Sequence, residues 1–163
     1  MSFIQPCFIR KNTPELRKKL EELGYTNGAW ESPHFEYPYL MCFPNKNGKY
    51  GLFKGEGFYM TEDDYRCDGE RWIYNPPKEY INCGDNEELF LALAALRDDT
   101  PINNFYWFNR RLVKCEDKTE KHTFLNGFIP ILKCRCVDDP NICFGVEEDF
   151  LKKASVEEFI EKF

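Results

Sequence analysis

The sequence predicts an α+β fold, with short capped helices set between groups of antiparallel strands. Three observations predict it. Helix-start signals recur at three places, aromatic and β-branched runs with hairpin-type breaks lie between them, and hairpins outnumber the strand–helix–strand units of a parallel sheet. The clearest stretch is 79–98, EYINCGDNEELFLALAALRD. Tyr80 to Cys83 alternates like a half-buried strand, Asp85 sits where an N-cap belongs, and Glu88 three residues on completes a capping box. Leu89, Leu93 and Leu96, with Ala92 beside them, form one apolar face at helical spacing.

The same order occurs at both ends of the chain. Cys7 to Arg10 precedes Asn12 and Glu15, followed by Leu16, Leu20 and Leu23. Phe150 and Leu151 precede Ser155 and Glu158, followed by Phe159 and Phe163. Asn12 and Asp85 are 73 positions apart, and so are Cys42 and Cys115. Polar loops follow both cysteines, PNKNGK and EDKTEK, and Trp30 and Trp107 precede them. This spacing fits a duplicated subdomain, with pseudo-repeat halves 1–77 and 78–149 followed by a C-terminal strand and a helix over 155–163. Chance recurrence of a common capping motif fits it as well. The length of 163 residues suits one compact domain, or two small halves sharing a core.

In chain order, Thr13 to Leu23 reads as a helix with Pro14 in its first turn and Gly24 at its end. Phe35 to Phe43 and Tyr50 to Lys54 read as paired strands around an Asn47-Gly48 turn. The aromatic and acidic segment 56–74 reads as strand, surface loop and strand, with Pro76-Pro77 as a link. After the second helix, Asn104 to Cys115, His122 to Leu125, Ile129 to Val137 and Cys143 to Val146 form a predicted meander. Asp138-Asp139-Pro140-Asn141 is its tight turn.

Composition excludes several classes. Lys+Arg 22 against Asp+Glu 28 gives a formal net charge of -6, which disfavours duplex nucleic acid, whose binding rests on neutralising phosphates. No apolar run is long enough for a secretory signal or a membrane span, so a cytoplasmic protein with no membrane partner is expected. The eight cysteines then read as free thiols in a reducing compartment, most of them small buried hydrophobes.

No stretch carries a catalytic or cofactor signature, and neither cofactor nor metal is expected. Cys134, Cys136 and Cys143, with Cys115 and His122, are soft ligands in principle. However, Cys134 and Cys136 fall on one face of a strand, as core residues do, and no chelating CxxC pair is present. Pairing a nucleophilic cysteine with His34 or His122 would need an adjacent base, which no spacing indicates. Glu62, Asp63 and Asp64 form an acidic run without the glycine-punctuated frame of a calcium loop. Gly55 and Gly57 lack the strand-to-helix context of a phosphate loop. Cations and rings lie together at Trp107 and Phe108 with Arg110 and Arg111, and at Arg10 with Lys11. Guanidinium–aromatic stacking there suits a nucleotide or an acidic peptide, whereas solvated charges that keep a strand edge from aggregating need no ligand at all.

At CFIRKNTPELRKKLEELGY, NCGDNEELFLALAALRDDT and SVEEFIEKF the chain resembles small uncharacterised proteins from phages and mobile elements of gut Bacteroidota. The matches cover about a third of the chain, and residues 26–78 contribute nothing to them. The resemblance implies an accessory protein acting in the host cytoplasm, and brings no reaction, ligand or active-site residue. Small size, acidity and aromatic content, 17% of residues, favour a non-enzymatic binding protein whose partner is a host protein or a small ligand. The alternatives are a small metal-dependent hydrolase or nuclease using the acidic loop 62–64, and a structural part of a virion.

Overall fold

The computed structural model describes residues 3–27, 38–44, 56–61, 80–123 and 127–163. The predicted Asn47-Gly48 turn, the Glu62-Asp63-Asp64 run, Trp30, His34, Cys67 and Pro76-Pro77 lie outside the described residues. The chain is α+β and divides into two compact units, Met1–Asp98 and Asp99–Phe163.

The first unit is a five-stranded mixed sheet with two helices. Its elements are β1 (Cys7–Ile9), α1 (Pro14–Leu23), β2 (Thr26–Asn27), β3 (Leu40–Pro44), β4 (Gly57–Thr61), β5 (Ile81–Asn82) and α2 (Glu87–Ala94). The strand order is β2-β4-β3-β1-β5. β3 runs antiparallel to both β1 and β4, while β5 joins β1, and β2 joins β4, in parallel. Alternation sorts the side chains. Phe8, Met41, Phe43, Phe58, Met60 and Tyr80 form a buried cluster on one face, where Phe43 stacks on Phe58 at 5.0 Å between ring centroids. Ile9, Leu40, Cys42 and Tyr59 point the other way, toward the helices: the Tyr59 hydroxyl donates to Glu21 of α1 (2.7 Å).

Both helices start where local chemistry predicts, one residue later than the sequence reading placed them. The N-caps are Thr13, whose side chain accepts from the Leu16 N–H, and Asn86, which accepts from Leu89 N–H. Asn12 instead accepts from the Arg17 guanidinium, and Asp85 is exposed. Gly24 ends α1 at φ 106, a left-handed C-cap that only glycine adopts without strain. Leu16, Leu20, Leu89, Leu93 and Leu96 are buried as expected, while Leu23, in the last turn of α1, is only half-buried. A second half over 78–149 predicts that α2 covers strands downstream of it, but α2 lies against β1 and α1 within the first unit, because β5, the strand that feeds it, pairs with β1. Tyr25 strengthens this arrangement by donating its hydroxyl to the Ala94 carbonyl (2.7 Å).

The second unit is antiparallel throughout. β6 (Phe105–Phe108), β7 (Arg111–Thr123), β8 (Gly127–Cys136) and β9 (Cys143–Glu147) form a meander. A 3-10 turn at Glu148–Phe150 then leads into β10 (Lys152–Lys153), which pairs back onto β6, and α3 (Val156–Ile160) follows. The resulting order is β10-β6-β7-β8-β9, a meander whose first strand is also paired by the last strand of the unit. Ser155 and Glu158 form the predicted capping box at α3, with Ser155 N–H donating to the Glu158 carboxylate (2.8 Å). Phe159 of α3 stacks on Phe105 at 4.5 Å.

Two expectations fail in this unit. Asn104 to Cys115 is not one strand, since a two-residue turn at Asn109 and Arg110 splits it. EDKTEK is not a turn either: Glu116 to Lys121 continues β7, paired through Asp117↔Lys133 and Lys118↔Leu132, with a register shift between Cys115 and Asp117. The two units also differ in sheet topology, mixed against antiparallel, so the 73-residue spacing does not make them copies of one architecture.

Candidate functional site

The β6–β7 hairpin end gathers four of the six residues singled out in the sequence. Phe108 and Arg111 are cross-strand partners, leaving Asn109 and Arg110 as the whole loop. Their φ values are 47 and 63, so both central residues are left-handed, as a type I′ turn demands. Asparagine suits the first position. Arginine at the second, where glycine is preferred, costs on the order of 1–2 kcal/mol. Arg110 and Arg111 are both exposed.

Strand alternation divides the two rings. Phe108 lies on the side of Arg111 and packs against Phe144 (5.2 Å, tilted), at the margin of a buried cluster of Tyr106, Val113, Cys115, Leu132, Cys134 and Cys136. Trp107 is on the opposite face with Leu112. Its indole nitrogen is buried without a hydrogen bond of good geometry, although it faces Glu158 closely enough to help hold that carboxyl below its ordinary value, after the larger effect of the Ser155 backbone N–H. The structure thus brings Phe108, Arg110 and Arg111 to one place and turns Trp107 away from them, so no single ligand is sandwiched between both rings.

Arg10 and Lys11 belong to the other unit. Lys11 pairs with Glu87, which also accepts from Lys19 (2.7 Å), so three side chains tie the start of α2 to the β1–α1 segment. The hydrogen bonds from Lys11 and then Lys19 hold Glu87 below the usual carboxylate range. This explains Lys11 structurally, and leaves Arg10 exposed, with its backbone N–H donating to the Gly84 carbonyl (2.8 Å).

The described cysteines are free, and six of the seven are buried. Cys7 faces Cys42 directly across β1 and β3, and Cys115 faces Cys134 across β7 and β8. Burial pushes the Cys7 thiol well up, with the Cys42 hydrogen bond adding to it, and burial takes Cys134 to about 12. Such thiols are protonated and unreactive at neutral pH. Among the described residues no group of three or more His, Cys, Asp or Glu side chains is placed to hold a metal ion. No helix among them is long and apolar enough to cross a membrane.

Sequence reasoning located the Arg–aromatic cluster and the strand Cys143 to Val146, which is β9, but missed the turn at the centre of the cluster. Asn109 was the available signal for the turn. No family model, curated protein or solved structure matches the chain.

Proposed function

We propose that this protein works by binding, as a phage or mobile-element accessory protein that occupies a host protein or a small ligand in the host cytoplasm. The contact surface is the β6–β7 end of the second unit. The observation that carries the reading is Arg110, a non-glycine residue held at φ 63 and exposed beside Arg111 and the Phe108–Phe144 pair. A strained backbone position that glycine would relieve persists where the side chain itself is needed. Two guanidinium groups beside half-buried rings suit an anionic partner: carboxylates engage arginine through paired hydrogen bonds, and the rings supply flat apolar area. The chain's net charge of -6 makes this local cationic tip a directional feature rather than part of a general basic surface.

The test is capture from host lysate on the immobilised full chain, with mass analysis of bound protein and of extracted small molecules. The reading expects a partner on the wild type that is lost from the double variant Arg110→Glu, Arg111→Glu while the thermal midpoint stays unchanged. Equal capture by both removes this surface from the function. Capture of nothing by the wild type removes the binding reading itself.

A further inference from the structure

Strand β9 is the free edge of the second sheet, and its hydrogen-bond phase can be read from one contact. The Cys136 N–H donates to the Ile142 carbonyl (3.0 Å), one step beyond the Arg135↔Cys143 pair that ends the β8–β9 register. Facing residues in an antiparallel ladder alternate between pairs that exchange both backbone bonds and pairs that exchange none. Phe144 and Val146 therefore turn their N–H and C=O groups toward β8, the side to which the Ile142 carbonyl points. Cys143, Gly145 and Glu147 turn theirs outward. Among the described residues nothing pairs with those outward groups, and Cys143 and Gly145 are exposed. Native edge strands are guarded against such pairing by lysine, proline or a bulge, and CFGVE has none of these.

We infer that β9 is a self-association edge, pairing antiparallel with β9 of a second copy of this chain about a two-fold axis at Gly145. The register is self-complementary. Gly145 meets its own copy, and Cys143 meets Glu147 of the second chain. All three facing pairs are of the kind that exchange both bonds, so every outward N–H and C=O of the three residues is satisfied. On the clustered face Phe144 comes opposite Val146, an apolar pair. On the other face no like charges meet. Lys133, exposed and directly across from Gly145, has Glu147 of its own chain as its diagonal neighbour and acts on Glu116, whose larger partner is Arg135. Gly145 has an internal reason to be glycine too: a Cβ there would come within 3.1 Å of the Ile131 Cγ2. An edge of five residues is small beside the roughly 1,600 Å² of a standard interface, so the association is weak and concentration-dependent.

The test is sedimentation velocity on the full chain across a concentration series. The wild type should show a reversible monomer–dimer equilibrium. Glu147→Pro removes one outward N–H at a residue whose φ of -66 proline already satisfies. It should weaken the dimer at least about tenfold with the thermal midpoint unchanged. Cys143→Glu, which sets a like charge opposite Glu147 of the second copy, should weaken it as well, and Cys143→Glu combined with Glu147→Lys should restore it, a comparison that stands even if the proline variant fails to fold. A wild type that remains monomeric throughout, or a dimer indifferent to all of these changes, overturns the inference.

Discussion

Leu93→Ala is the sharpest probe of the first unit. Leu93 is fully buried in α2, the helix that lies against β1. Truncation removes three carbons from a site without solvent contact. At about 0.8 kcal/mol per buried methylene this is roughly 2.4 kcal/mol. The space left behind adds to that, because helix and sheet relax only partly, and the total expected is about 3–5 kcal/mol. Against a whole-domain stability of roughly 5–15 kcal/mol, such a loss is large. Leu91 is the internal control: it has the same chemistry in the same helix, but is half-exposed. Leu91→Ala should cost about 1 kcal/mol or less. Urea denaturation followed by far-UV circular dichroism, fitted with a common slope, measures both differences. If Leu93→Ala shifts the midpoint no further than Leu91→Ala, α2 is not a core element and the packing argument for the first unit fails.

The cap assignment separates two neighbouring residues. Asn86→Ala should cost about 1 kcal/mol in the same denaturation assay, and Asp85→Ala close to nothing, with the reverse order restoring Asp85 as the cap. The Lys11–Glu87–Lys19 cluster makes stability depend on acid. The folded-state pKa of Glu87 is depressed, so its contribution is complete above the unfolded value of about 4.3 and is lost as pH falls through the lower folded value. Glu87→Gln should therefore flatten the acid limb of a melting-temperature profile below about pH 4, and an unchanged limb would contradict the ion-pair geometry. Among the described cysteines Cys143 alone is exposed, so brief maleimide labelling of the native protein followed by peptide mass analysis should modify it well before Cys7, Cys42, Cys83, Cys115, Cys134 and Cys136. Early labelling of Cys7 or Cys134 would contradict their burial.

What the sequence determined by itself is local. Ser155 with Glu158, Gly24 after Leu23, Pro14 in a first turn and the Asp139 turn before Ile142 are each settled by a few neighbouring residues whose backbone groups need partners, and all are legible without the fold. Burial of Leu16, Leu20, Leu89 and Leu93 follows from helical spacing, whereas Leu23 at the same spacing is only half-buried and Leu96 is buried past the end of α2. For the candidate site, residue type was legible in Arg110 and Arg111 beside Trp107 and Phe108, and arrangement was not. A turn of Asn109 and Arg110 carries no glycine to announce it, and only its position decides that Phe108 shares a face with Arg111 while Trp107 does not. Tertiary structure decided the rest through pairing between distant strands. EDKTEK has the composition of a turn, yet it is a strand because β8 supplies partners for its backbone. The helix starting at Glu87 covers the first sheet because β5 joins β1, a choice made across more than seventy residues of chain. Backbone hydrogen bonds do not depend on side-chain identity, so local sequence leaves the partner of a strand open, and only the burial gained when the whole sheet assembles selects it.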